Sequence, residues 1–94
     1  MAIARVVAFE DVDDGHMTDL QGRLEAGERP EGMPPVEILA LHDPAAGRAL
    51  VVQLFDNADD YQRGEAIFAA MPAGDTPGRR ASVTRYDVSA RLKG

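Results

Sequence analysis

The sequence predicts an α+β fold, a single four-stranded antiparallel sheet with two helices on one face and a dimer partner on the other. Two observations predict it. Hydrophobic residues alternate with period two over residues 3–9, 36–42, 49–55 and 81–88. Between the first and second of these runs, and between the third and fourth, lie stretches with the three-to-four-residue spacing of amphipathic helices. The order strand, helix, strand, strand, helix, strand fills almost all of the 94 residues, and this βαββαβ order is the ferredoxin-like sandwich.

The first strand is rich in β-branched residues and stops at the acidic turn from Glu10 to Gly15. Asp13 or Asp14 can cap a helix there, because a short carboxylate satisfies the unpaired amides of the first turn. Met17, Leu20 and Leu24 give that helix one apolar stripe, and it should stop near Gly27. Pro30, Gly32, Pro34 and Pro35 then exclude regular structure up to the second strand. The second and third strands form a hairpin around Asp43-Pro44 and Gly47, a turn opener followed by a residue that tolerates positive φ. The second helix is capped by Asp56 or Asn57, with Asp59 and Asp60 in a first turn that favours negative charge. Tyr61, Gly64, Ile67, Phe68 and Met71 make its inner face, Pro72 ends it, and residues 73–78 lead as a loop to Arg79, Arg80 and the last strand.

Length and composition narrow the chemistry. Residues 1–94 make one domain, and a chain of this size buries roughly 60–65% of its unfolded surface, one modest core. There is no cysteine, so disulfides, thiolate metal sites and a cysteine nucleophile are excluded. A cytoplasmic setting fits, and no run approaches a membrane span. Sixteen acidic against ten basic residues leave a net charge of −6, which repels a phosphate backbone and argues against nucleic-acid binding. The one lysine is Lys93, so the folded body has no Schiff-base or P-loop lysine. No Gly-x-Ser-x-Gly elbow is present. The turn from Glu10 to Gly15 fails as a calcium loop, since Val12 falls where a ligand is needed and Gln21 where the closing glutamate belongs.

Strand parity sorts the side chains into two faces. One carries Ala4, Val6, Ala8, Leu39, Leu41, Leu50, Val52, Leu54, Thr84, Tyr86 and Val88, with Glu37 as its charged exception. This nearly apolar face is expected under the helices. The other mixes Ile3, Val7, Phe9, Val36, Ile38, Val51 and Phe55 with Arg5, His42, Gln53, Arg85 and Asp87. Left to solvent, its hydrophobes would form a larger patch than soluble monomers tolerate, so a homodimer partner is expected to cover it.

Length, element order and the passage Leu54-Phe55-Asp56-Asn57-Ala58-Asp59-Asp60-Tyr61 resemble the dimeric α/β-barrel superfamily, particularly small proteins similar to antibiotic-biosynthesis monooxygenases. The resemblance spans residues 3 to 91. It implies a homodimer through the sheet face and a cavity between sheet and helices for a small apolar or aromatic ligand. Activities in the superfamily include cofactor-independent oxygenation, lactone isomerisation and haem degradation, and some members have no known activity. Oxygenation and haem degradation there lean on a tryptophan with an asparagine and often a histidine. This chain has no tryptophan, and its only asparagine is Asn57. No catalytic residue is carried over, and neither a cofactor nor a metal is expected.

The candidate ligand-binding residues are Tyr86, His42, Arg5, Arg85, Gln53 and Asn57. Strand order 4-1-3-2 puts Arg5, Gln53 and Arg85 on neighbouring strands and one face. There they can hold a ligand carboxylate or phosphate, or pair with Asp87 or a partner's carboxylate. Tyr86 is expected on the helix side, where its phenol either orients a ligand or reaches a backbone carbonyl. His42 sits at a strand end near Gln53, and His16 beside Asp13 reads as an exposed first-turn residue.

Overall fold

The computed structural model describes residues 2–70 and 76–92. The elements are β1 (Ile3–Glu10), α1 (Asp14–Glu25), β2 (Val36–Asp43), β3 (Arg48–Phe55), α2 (Ala58–Ala69) and β4 (Arg79–Asp87). They form one sheet in the order β2-β3-β1-β4, with every neighbouring pair antiparallel. The expected βαββαβ architecture is therefore present. All four strands start or end one or two residues from their expected limits, and Arg79 and Arg80, expected just ahead of the last strand, belong to β4. Met71, Pro72, residues 73–75 and Lys93 lie outside the described residues.

Local chemistry accounts for the element ends. The Asp13 carboxylate accepts the amide of Gly15 at 2.6 Å and caps α1. Asn57 does the same for α2, its Oδ1 accepting the Asp60 amide at 2.8 Å. Gly47 turns the β2–β3 hairpin at φ 65°, a left-handed conformation that glycine adopts without Cβ strain.

One expectation about the sheet is overturned. The helices cover the mixed face, not the nearly apolar one. Met17 of α1 packs with Val7, Phe9, Ala49 and Val51. Tyr61 and Phe68 of α2 pack with Ile3 and Phe55. Tyr86, placed by parity under the helices, is instead 56% exposed on the open face with Leu39, Leu41 and Leu50. The reason is topological. β1 and β2 run parallel around β3, β3 and β4 run parallel around β1, and each pair is joined through a helix. Such crossovers share one handedness, so both helices land on one face whatever side chains it carries. Arg5 and Gln53 did not prevent burial of that face because they satisfy part of each other's hydrogen bonding.

The core is accordingly divided. Val7 and Phe55 are its most enclosed large side chains, each contributing roughly 1.5–3 kcal/mol by removal from water. They belong to separate clusters at the two ends of the helix-covered face. At the Phe55 end α2 sits very close to the sheet. A Cβ on Gly64 would lie 2.3 Å from the Phe55 ring, so only glycine permits that approach.

Candidate functional site

Between the two core clusters the helix-covered face is polar. Arg5 on β1 and Gln53 on β3 are register partners, and both are almost completely buried. The Arg5 Nη1 donates to Gln53 Oε1 at 2.9 Å. The Arg5 guanidinium also lies 5.5 Å from the centre of the Phe68 ring, within cation–π range. Its Nε is buried without a hydrogen-bond partner among the described residues.

These residues line a cavity of about 300 Å³ between the sheet and the helices. Val7, Ile38, Val51 and Phe68 supply apolar surface from the sheet and α2, and Leu20 and Leu24 close it from α1. The opening exists because α1 fully buries only Met17, while Leu20 and Leu24 stay half-buried. Arg23, Glu28, Arg29 and Arg80 bring charge to its edge.

Arg80 reaches the cavity through an irregularity in the sheet. Val6, Val7 and Ala8 pair with Thr84, Val83 and Ser82, but Phe9 then pairs with Arg80, so Ala81 is the extra residue of a β-bulge. The bulge brings Arg80 to the helix side. Burial and the nearby Arg80 charge both hold the Arg5 pKa below its ordinary value, in that order, and Glu65 acts in the opposite direction. Tyr61 is pushed the other way. Burial first, and then hydrogen bonding to the Glu65 carboxylate, raise its phenol above the usual range.

The structure brings only two of the six candidate residues together in the cavity, Arg5 and Gln53. Arg85 shares their row, directly across β1–β4 from Arg5, but its guanidinium stacks 4.9 Å from the Tyr61 ring. His42 lies at the far end of β2, its Nε2 3.8 Å from the Asp14 carboxylate, and borders a separate depression with Met17 and Pro44. Asn57 is occupied as the cap of α2. Tyr86 is on the opposite side of the sheet. Asp87 does not pair with Arg5 among the described residues. Arg80 and Arg29 were not singled out from the sequence, because a one-residue bulge and the path of an irregular linker leave no periodic signal. Among the described residues no group of three His, Asp or Glu side chains converges as a metal site, and no helix is long and apolar enough to cross a membrane.

No protein-family model matches the chain, and no curated protein matches it by sequence. A solved structure does match by fold. The chain is similar to the crystal structure of an arginine-to-serine mutant of MhuD with two manganese protoporphyrin IX molecules bound per active site. The TM-score is 0.63 at 18% sequence identity, over 98% of this chain and 99% of that one. The likeness extends from end to end and shows the ferredoxin-like fold that the sequence resemblance implied.

Proposed function

We propose that the protein binds a small apolar or aromatic molecule in the cavity between sheet and helices, as a homodimer joined through the open sheet face. The carrying observation is the cavity itself. It is a half-open cleft of about 300 Å³ that reaches Phe9 of one core cluster and Phe68 of the other, and its volume falls at the lower end of ligand-cavity sizes. Apolar walls with a few buried polar groups are the usual composition of such sites. The space suits a molecule of one or two fused rings.

The dimer reading rests on the open face. Leu39, Leu41 and Leu50 are 44%, 50% and 39% exposed, and Tyr86 adds an aromatic ring to them. Contiguous apolar surface of this kind marks an interface. The expected partner is thus retained on the face opposite to the one that parity suggested.

A second reading is an enzyme of the same superfamily, a cofactor-independent oxygenase, an isomerase or a haem-degrading enzyme. The porphyrin-bound MhuD structure favours it. Against it stands the placement of the polar candidates, with Asn57 spent on a helix cap and His42 outside the cavity.

Light scattering over a dilution series, followed by a thermal-shift screen of aromatic compounds and haem on the same sample, tests these readings. A dimer stabilised by a compact aromatic compound supports the leading one. Turnover of a stabilising compound in air would move the assignment to the enzyme. A dimer stabilised by no compound would remove the ligand reading.

A further inference from the structure

We infer that the ligand of this cavity is an acid, an aromatic or cyclic carboxylate whose charged end meets Arg5 while its ring lies against Phe68, Val7 and Val51. The inference rests on the proposal that the cavity binds a ligand and adds the charge that ligand must carry.

The first observation is the sign of the charge. The protein as a whole carries −6, yet Arg5, Arg29 and Arg80 border the cavity, against one carboxylate, Glu28, among the described residues. A concentration of positive charge inside an acidic protein selects anions, because low-dielectric walls focus the local field. The second is the state of Arg5. Among the described residues its side chain makes one hydrogen bond, from Nη1 to the neutral amide of Gln53, and no carboxylate lies within ion-pair distance of it. Glu65 acts on its charge only from further away. A buried cation without a counter-ion is costly, and natural folds pair such groups.

The third observation is geometric. With Nη1 engaged by Gln53, the edge of the guanidinium left over is the one formed by Nε and Nη2, and Nε has no partner among the described residues. Nε is enclosed, so a carboxylate in the cavity would meet that edge through Nη2. Gln53 holds the guanidinium from the other side. Phe68, 5.5 Å from the guanidinium and itself lining the cavity, sets an apolar surface next to the charge. A ring bearing a carboxylate presents the same two features in the same order.

The fourth is the bulge at Ala81, which turns Arg80 toward the helix side close enough for its charge to act on Arg5. Two cations held near each other repel. An anion between them removes that repulsion, so both gain from the same ligand.

Isothermal titration calorimetry with 2-naphthoate and its neutral near-isostere 2-naphthamide tests the inference on the full chain. The acid is expected to bind at least about tenfold more tightly than the amide, the ratio that one charge-assisted pair contributes. Arg5→Met should abolish this preference while leaving amide binding in place. Arg80→Gln, an exposed position, should lower the preference several-fold without disturbing the fold, and it carries the test if Arg5→Met does not fold. Equal binding of acid and amide by the unaltered protein overturns the inference but leaves the cavity as a ligand site. A preference unchanged in Arg80→Gln, and in Arg5→Met if that variant folds, also overturns it. Binding of neither probe overturns the proposal that the cavity takes a compact aromatic ligand, and this inference with it.

Discussion

Arg5 and Gln53 face each other across β1 and β3 and share a 2.9 Å hydrogen bond between the two hydrophobic clusters of the core. Removing the Gln53 amide leaves a buried guanidinium with no hydrogen-bond partner among the described residues. Gln53→Leu should therefore destabilise the protein by about 2–3 kcal/mol, the cost of an unsatisfied buried charged group. The double variant Arg5→Met, Gln53→Leu should recover part of that loss, since both polar groups are then gone. Urea denaturation of the two single variants and the double variant measures the coupling, and strict additivity would contradict it.

Asn57 caps α2 through the Asp60 amide. Asn57→Ala should lower stability by about 1 kcal/mol, the usual value of an N-cap, while the affinity for a cavity ligand stays unchanged. A loss of affinity or turnover without a loss of stability would return Asn57 to the list of functional residues.

Gly64 lets α2 lie against Phe55. An added methyl would meet the ring at 2.3 Å, and Phe55 is only 1% exposed. Gly64→Ala should destabilise by about 1–3 kcal/mol through overpacking, more than the roughly 1 kcal/mol that alanine gains over glycine in a helix. Thermal unfolding of the variant shows which effect prevails.

Leu41 is half exposed on the open face, where it pairs across β2–β3 with Leu50. Leu41→Glu adds a charge to the proposed dimer interface without entering the helix-covered core. The light-scattering mass should fall from twice the 10.1 kDa chain toward a single chain. An unaltered mass would place the interface elsewhere.

The Tyr61 phenol is held above its unperturbed pKa of 10.0 by burial and by Glu65. The folded protein then keeps the phenolic proton to higher pH than the unfolded chain does. Its contribution to stability is full below pH 10 and is lost as pH rises from there through the folded-state value. The urea midpoint should fall as the pH rises above 10, and Tyr61→Phe should flatten that part of the profile. A profile of equal slope in both proteins would remove Tyr61 as its source.

The caps of both helices, the hairpin at Gly47 and the row of Arg5, Gln53 and Arg85 are legible in the sequence, because each depends on residue type at short spacing or on strand parity. The bulge at Ala81 is not. It changes the partner of Phe9 from Ala81, where the register of Val6 to Ala8 would continue, to Arg80, without altering any hydrophobic period. The positions of Tyr86 and His42 relative to the cavity were likewise out of reach, since each depends on where a helix is laid over the sheet.

By itself the sequence determined the element order, the helix starts and the membership of the two sheet faces, since these follow from local propensity and the period-two pleat. Only the tertiary structure decided which face the helices cover. Parity divides residues into two sets but is symmetric between them, and the handed crossovers from β1 to β2 and from β3 to β4 break that symmetry. By laying α1 and α2 over the polar row, they turned Arg5 from a surface charge awaiting a partner subunit into a buried cation beside an apolar cavity.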